Sequence, residues 1–232
     1  MVWQTALPRG RVPAIAALLV VLALLPGSPA AAQGRGIEVG PLFGLFVPTS
    51  TLAESSFPSV EGETITTSVE QRSAVALGAR ATGWLGERVG IEGEFTWAAS
   101  LVRTSVSPSV LAASATTSTG SSAVWLASAS LLYGLPLAHH TAALYLKAGP
   151  ALVGRTGADA LTYVAGGTEV GVLAGVGFRY RLAPGASLRV DVEDAVSCPG
   201  VGDATTGADA VCRTQSNLVL STGVSFALGA RR

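Results

Sequence analysis

Between Val89 and Leu101 the side chains change character at every residue. Val89, Ile91, Gly93, Phe95, Trp97, Ala99 and Leu101 form one set, and Gly90, Glu92, Glu94, Thr96, Ala98 and Ser100 form the other. A period of two is the strand period, so this segment is extended, with one apolar and one polar face. Seven further runs carry the same signal, giving eight at 36–47, 73–85, 89–103, 122–136, 141–154, 168–182, 187–197 and 216–229. It is sharp where Val170, Val172, Ala174 and Val176 alternate with Glu169, Gly171, Leu173 and Gly175, and where Leu188, Val190 and Val192 alternate with Arg189, Asp191 and Glu193. Most of the runs are longer than the roughly 5–6 residues usual in soluble strands. They are long enough for a tilted membrane strand, which needs about 9–11.

The connections carry a second pattern. Those at 86–88, 137–140 and 183–186 are tight turns, whereas 48–72, 104–121, 155–167 and 198–215 are long and rich in Ser, Thr, Gly and Ala. Short and long alternate strictly, as in transmembrane barrels with short periplasmic turns and longer extracellular loops. Hydrocarbon offers backbone N–H and C=O groups no partner, so a membrane sheet must close on itself. The expected fold is therefore all-β: an eight-stranded antiparallel up-and-down transmembrane β-barrel. No mature segment has eighteen consecutive apolar residues, which excludes helical spans. Pro41 and Pro150 fall inside runs, and each is expected to mark a bulge or a strand end.

Periodicity does not say which face is outside, and a soluble lipocalin-like barrel would bury the apolar one. Bulky residues near run ends (Phe43, Trp97, Trp125, Tyr133, Phe178, Tyr180, Phe226) suit interfacial girdles, and a glycine-rich polar face suits a narrow interior. With the loop asymmetry, these place the apolar face toward lipid.

Arg9 and Arg11 precede an apolar run from Ala14 to Leu25, then Pro26-Gly27-Ser28-Pro29 and the small residues Ala30-Ala31-Ala32. This is the anatomy of a secretory signal peptide over 1–32, cleaved after Ala32. Residues 33–232 then form one domain. Removing Arg9 and Arg11 from the 15 basic residues leaves 13 against 15 acidic ones, so nucleic acid is not an expected partner. Cys198 and Cys212 are the two cysteines. In an exported chain they are expected to form a disulfide.

With the polar face inward, the lumen receives Glu38, Glu92, Glu94, Asp191 and Glu193 against Arg80, Lys147, Arg179, Arg181 and Arg189, all toward the periplasmic end. Five acids against five bases read as a salt-bridge plug, because a lone buried ion is costly. The outer half of the lumen reads as small or apolar, and the alternative to a structural or surface-interaction role is binding or passage of small hydrophobic solutes through the barrel, with a shallow cup there for a small hydrophobic ligand. No cofactor or metal site is expected. His139 and His140 are the only histidines, and a predicted turn is a poor place for a catalytic pair, so no enzyme is expected.

The apolar leader, the eight-run meander and Ser187-Leu-Arg-Val-Asp-Val-Glu-Asp194 before a final alternating strand resemble the OmpA/OmpX-like outer-membrane β-barrel superfamily, over 36–232 and for the barrel domain only. The resemblance implies the bacterial outer membrane, with its lipid and lipopolysaccharide as surroundings. It implies a role among structural proteins, surface-interaction factors, narrow channels and, rarely, lipid-modifying enzymes. The sequence reading favours a monomer with a structural or surface-interaction role. The chain departs from many such barrels in ending Ala230-Arg231-Arg232 rather than in an aromatic residue.

Overall fold

The computed structural model describes residues 36–58, 64–86, 88–108, 116–137, 141–157, 167–198, 200–201, 211–212 and 214–228. Their strands are β1 (Ile37–Pro48), β2 (Ala53–Pro58), β3 (Thr64–Gln71), β4 (Ala74–Trp84), β5 (Val89–Pro108), β6 (Thr116–Pro136), β7 (Ala142–Thr156), β8 (Thr168–Ala183), β9 (Ala186–Ser197), β10 (Gly200–Val201), β11 (Val211–Cys212) and β12 (Gln215–Leu228). The chain divides between Ala32 and Gln33. Residues 1–32, expected to be a signal peptide, lie outside the described residues.

Eight strands close a ring. β1 pairs with β4, β4 with β5, and so on through β6, β7, β8, β9 and β12, which returns to β1; every pairing is antiparallel. Ile37 pairs with Gly83, Gly83 with Ile91, Ile91 with Leu131 and Leu131 with Ala148. Ala148 pairs with Ala174, Ala174 with Asp194, Asp194 with Leu218 and Leu218 with Val47. One circuit thus climbs from Ile37 to Val47 on the same strand. A stagger of this size in eight strands tilts them by roughly 35–45° and leaves an interior that side chains fill.

The apolar face is outside. Phe43, Trp97, Tyr133, Val176, Leu220 and Phe226 are exposed, whereas Glu92, Arg189, Asp191 and Glu193 are buried on the inner face. This is the orientation the aromatic and glycine patterns indicated.

Two expectations are corrected. The connections 48–72 and 104–121 are in large part strand. β3 continues β4 across Arg72 and Ser73, both pairing with β5, and β2 folds back on β3. β5 and β6 stay paired to Val106 and Thr116. Thr- and Val-rich stretches such as Thr64-Ile-Thr-Thr-Ser-Val69 favour extended backbone when a neighbouring strand supplies a ladder. The barrel wall is therefore prolonged on one side, at its extracellular end, into a sheet of β2, β3, β5 and β6.

Pro41 and Pro150 mark neither bulges nor strand ends. Pro41 pairs with Ala79 on β4, while the β12 ladder skips from Val39 to Leu42 in unbroken register. Pro150 pairs with Val172, while the β6 ladder skips from Ala148 to Ala151. Each proline thus turns its missing N–H toward one neighbour and opens a gap there. A glycine precedes each. A Cβ on Gly40 would sit 2.1 Å from the Val224 carbonyl oxygen and one on Gly149 2.0 Å from that of Ala129, so only glycine permits the approach. Among the described residues, a register shift lies on β8, between Arg181 and Ala183.

Val176 is exposed at mid-strand, between its partners Leu146 and Val192. Val176→Arg is expected to lower the unfolding free energy in lipid vesicles by about 2–4 kcal/mol, the cost of a lipid-facing cation at mid-depth, as measured by denaturant titration of the refolded barrel.

Candidate functional site: the barrel interior

Inward-facing residues stack in three tiers. The tier nearest the short turns is ionic. Arg189, on β9, donates to Glu92 of β5 at 2.5 Å, to Thr82 of β4 at 2.9 Å and to Tyr145 of β7 at 2.6 and 2.9 Å. Arg80 pairs with Asp191, which also accepts from the Tyr145 hydroxyl. Lys147 Nζ reaches Glu92 at 3.1 Å and Glu94 at 3.0 Å. Its ammonium also lies 2.5 Å from Glu193, a third close ion pair. At the floor Arg179 pairs with Glu38 and lies 5.1 Å from the Trp84 ring centroid.

These contacts cross the lumen between strands far apart in sequence, which is possible only because the ring is narrow. Tyr145 reaches the centre because its β8 partner is Gly177. A Cβ there would lie 2.2 Å from the Tyr145 Cζ. The ring thus fills the space of the missing side chain and aims its hydroxyl at Asp191 and Arg189.

Above this tier lies an apolar one. Phe46, Ala76, Ala98, Val124, Leu126, Ala151, Val153, Leu173, Ala195 and Val219 cluster there, each at most 5% exposed.

The third tier is polar and centred on Arg155 of β7, which is 1% exposed. Its guanidinium pairs with Glu169 of β8 and donates to Gln215 of β12 at 2.9 Å and to Gln71 of β3 at 3.3 Å. Ser197 donates to Glu169 at 2.7 Å, and Gln215 donates to the carbonyls of Thr51 and Leu52 at 3.3 and 3.2 Å. Leu52, itself buried, is hydrogen-bonded to Val69 at 2.8 Å. The third tier therefore ties the base of the β2–β3 hairpin to the barrel mouth.

Nine of the ten residues assigned to the lumen converge there: Glu38, Arg80, Glu92, Glu94, Lys147, Arg179, Arg189, Asp191 and Glu193. Arg181 does not. It is exposed at the periplasmic rim, where it lines a shallow notch with Thr141, Ala142, Ala143 and Arg179. It lies three residues from the Pro184-Gly185 turn, beside the β8 register shift, where water solvates it and no partner is required. The tier thus sets five acids against four bases, and Lys147 is shared by three carboxylates.

The outer half is not wholly small or apolar. Arg155 and Glu169 are a buried ion pair that the sequence reading passed over. Continuing the inward set 147, 149, 151, 153 by one step reaches Arg155, and Glu169 already stood on the polar face of its run. Tyr145, Gln71 and Gln215 carry no charge to announce them. His139 and His140 lie outside the described residues.

The family model of the outer membrane protein beta-barrel domain matches residues 16–228. The chain belongs to this family. It is an outer-membrane β-barrel protein of bacteria. The solved outer membrane protein OprG from Pseudomonas aeruginosa is similar in fold, with a TM-score of 0.55 at 14% identity, covering 86% of this chain and 99% of OprG. Neisserial surface protein A gives 0.40 at 15% identity, covering 86% of this chain and 100% of that one. The Yersinia pestis attachment invasion locus protein Ail, solved with the heparin analogue sucrose octasulfate, gives 0.41 at 8%, covering 85% and 100%. No curated protein sequence matches the chain.

In this outer-membrane barrel the Arg155–Glu169 pair is the more isolated of the buried ionic sites. Arg155→Met alone leaves Glu169 buried and uncompensated, and is expected to cost about 3–5 kcal/mol. Arg155→Met with Glu169→Leu is expected to cost less than the single change. Denaturant unfolding of the two variants and the wild type in one detergent measures this.

Proposed function

We propose that this protein is a closed barrel with a structural or surface-interaction role, rather than a channel or an enzyme. The observation that supports it is the ion-pair network of the lower lumen. Arg189 and Lys147 each reach across to Glu92, and the apolar tier above excludes water. An ion entering from the periplasm meets acids and bases already paired with one another, five against four, not a single-sign ring of the kind that selects ions. Arg155 and its partners close the extracellular end in the same way. We read the two polar tiers together as the plug. The buried titratable groups are engaged with each other, so none is offered to a substrate.

The working surface in this reading is extracellular: the β2–β3 hairpin, the β5–β6 extension and the segment 198–215. A Cys198–Cys212 disulfide belongs to the proposal. No described cysteine is free, and β10 and β11 pair Gly200 with Cys212, two residues from Cys198; the Cys212 side chain lies outside the described residues. Export by a signal peptide cleaved after Ala32, and a monomeric state, complete the reading.

Purified mature protein in planar bilayers is expected to show no sustained conductance steps under moderate voltage at neutral pH. Stable, voltage-independent open levels from most insertions would contradict the closed barrel.

A further inference from the structure

At the periplasmic rim β8 carries two guanidinium groups, Arg179 and Arg181, and the network above accounts for only one of them. Tyr180 and Leu182 face outward and are exposed, so alternation puts both arginines on the inner face. Arg179 pairs with Glu38 through Nη2, and its side chain is 24% exposed. Its guanidinium lies 5.1 Å from the Trp84 ring centroid, and this stacking holds its plane. Arg181 is exposed and makes no ion pair with a described residue. Its backbone N–H donates to the Thr141 carbonyl at 2.7 Å, so the chain beside it is satisfied and the side chain alone is uncommitted.

The two arginines line a notch of about 200 Å³, open to solvent, together with Thr141, Ala142 and Ala143. Ala142 pairs with Tyr180 and Ala143 with Arg179, and these short side chains leave the space beside the guanidinium groups. The charges around Arg179 are Glu38, Arg181 and Arg189. Arg189 is held by Glu92 and Asp191, and Glu38 also accepts from Ser187 at 3.4 Å. The extra carboxylate of the tier above lies deeper, around Lys147. At the floor, two arginines therefore stand against one described carboxylate, and one positive charge is left beside the open space. Guanidinium groups only donate, so what the notch lacks is an acceptor.

We propose that this notch is a binding site for a carboxylate presented from the periplasm, such as the C-terminal carboxylate of a peptide. Its oxygens take the fork of Arg181 and the remaining edge of Arg179, and the Thr141 hydroxyl donates to either oxygen. Glu38 and Trp84 act through Arg179, as positioning residues. A single carboxylate cancels the single surplus charge, which a phosphate dianion would overshoot. The arginines belong to the inner face of β8 and not to the lipid-facing one, which favours a soluble ligand over a lipid headgroup. The notch is smaller than the roughly 300 Å³ or more of pockets that enclose whole small molecules, so it takes the charged end of a ligand whose remainder stays in the periplasm. The inference rests on the inward orientation of the polar face and is independent of whether the lumen conducts.

The test uses the refolded mature chain, isotope-labelled at arginine nitrogen, in zwitterionic phospholipid nanodiscs. It is titrated with N-acetyl-alanyl-alanine and followed by NMR of the arginine Nε–H groups. The wild type is expected to show saturable shifts at Arg179 and Arg181, with affinity falling about tenfold or more in Arg181→Ser. N-acetyl-alanyl-alaninamide, which lacks the carboxylate, is expected to give no response. Arg72→Ser, an exposed cation lost at the opposite end, is expected to bind as the wild type does. Heat-modifiable migration reports that each variant is folded, and the comparison of acid with amide needs no variant. Equal responses to acid and amide, equal affinity in wild type and Arg181→Ser, an equal loss in Arg72→Ser, or the absence of saturable shifts overturns the proposal. So does loss of the response when phosphatidylglycerol is added to the nanodiscs, which would assign the arginines to a lipid headgroup.

Discussion

Lys147 sits among three carboxylates, Glu92, Glu94 and Glu193, contributed by strands on two sides of the lumen. Such a centre requires every ion around it to lie against an opposite charge, because desolvating a charge without a partner costs several kcal/mol. The rest of the interior follows from that demand. Arg189 and Arg80 neutralise Glu92 and Asp191 from the neighbouring walls, Tyr145 bridges Asp191 and Arg189, and Gly177 leaves the space Tyr145 needs. These contacts exist because the ring closes narrowly, and it closes because hydrocarbon accepts no unpaired backbone group. Closure and charge pairing are thus two consequences of one solvent.

The fold was legible because a barrel in lipid writes its two faces into consecutive residues. The clean alternation of 89–101 and 168–182 located β5 and β8. The strict exchange of short and long connections located the closed end. The limits of that reading are physical too. Arg181 keeps the alternation of β8 but lies at the rim, where water replaces a partner; periodicity reports the face a residue is on, not its depth. Arg155 fell just beyond the end assigned to its run, and strand ends are where alternation fades. Serine and threonine suit both loops and strands, so the sheet built on β3 and the upper halves of β5 and β6 read as connections until a pairing partner was known. Gly40-Pro41 and Gly149-Pro150 looked like breaks. They proved to be one-sided gaps, because a barrel strand has two neighbours and a proline need offend only one of them.

The interior and exterior do different work. Inside, polar chemistry is spent on itself: two tiers of hydrogen-bonded ions enclose an apolar layer. Outside, the wall at β3, β5 and β6 carries Arg72, Glu70 and Arg103 beside serine and threonine hydroxyls, while the wall at β9 and β12 carries Asp194 and Ser216. Outer-membrane residence is compatible with the proposed reading, in which the lumen is sealed, the barrel supplies rigidity and the extension supplies contact.

The proposal that the interior is sealed is tested most directly by the reactivity of a thiol placed in the apolar tier. Ala98 is 1% exposed and sits between the two polar tiers. In a Cys198→Ser/Cys212→Ser background, Ala98→Cys should resist a small water-soluble methanethiosulfonate reagent in the folded barrel and react fully once the barrel is denatured. Rapid modification of the folded protein, at a rate near that of an exposed thiol, would mean that water runs through the lumen and that its charges line a pore rather than fill it.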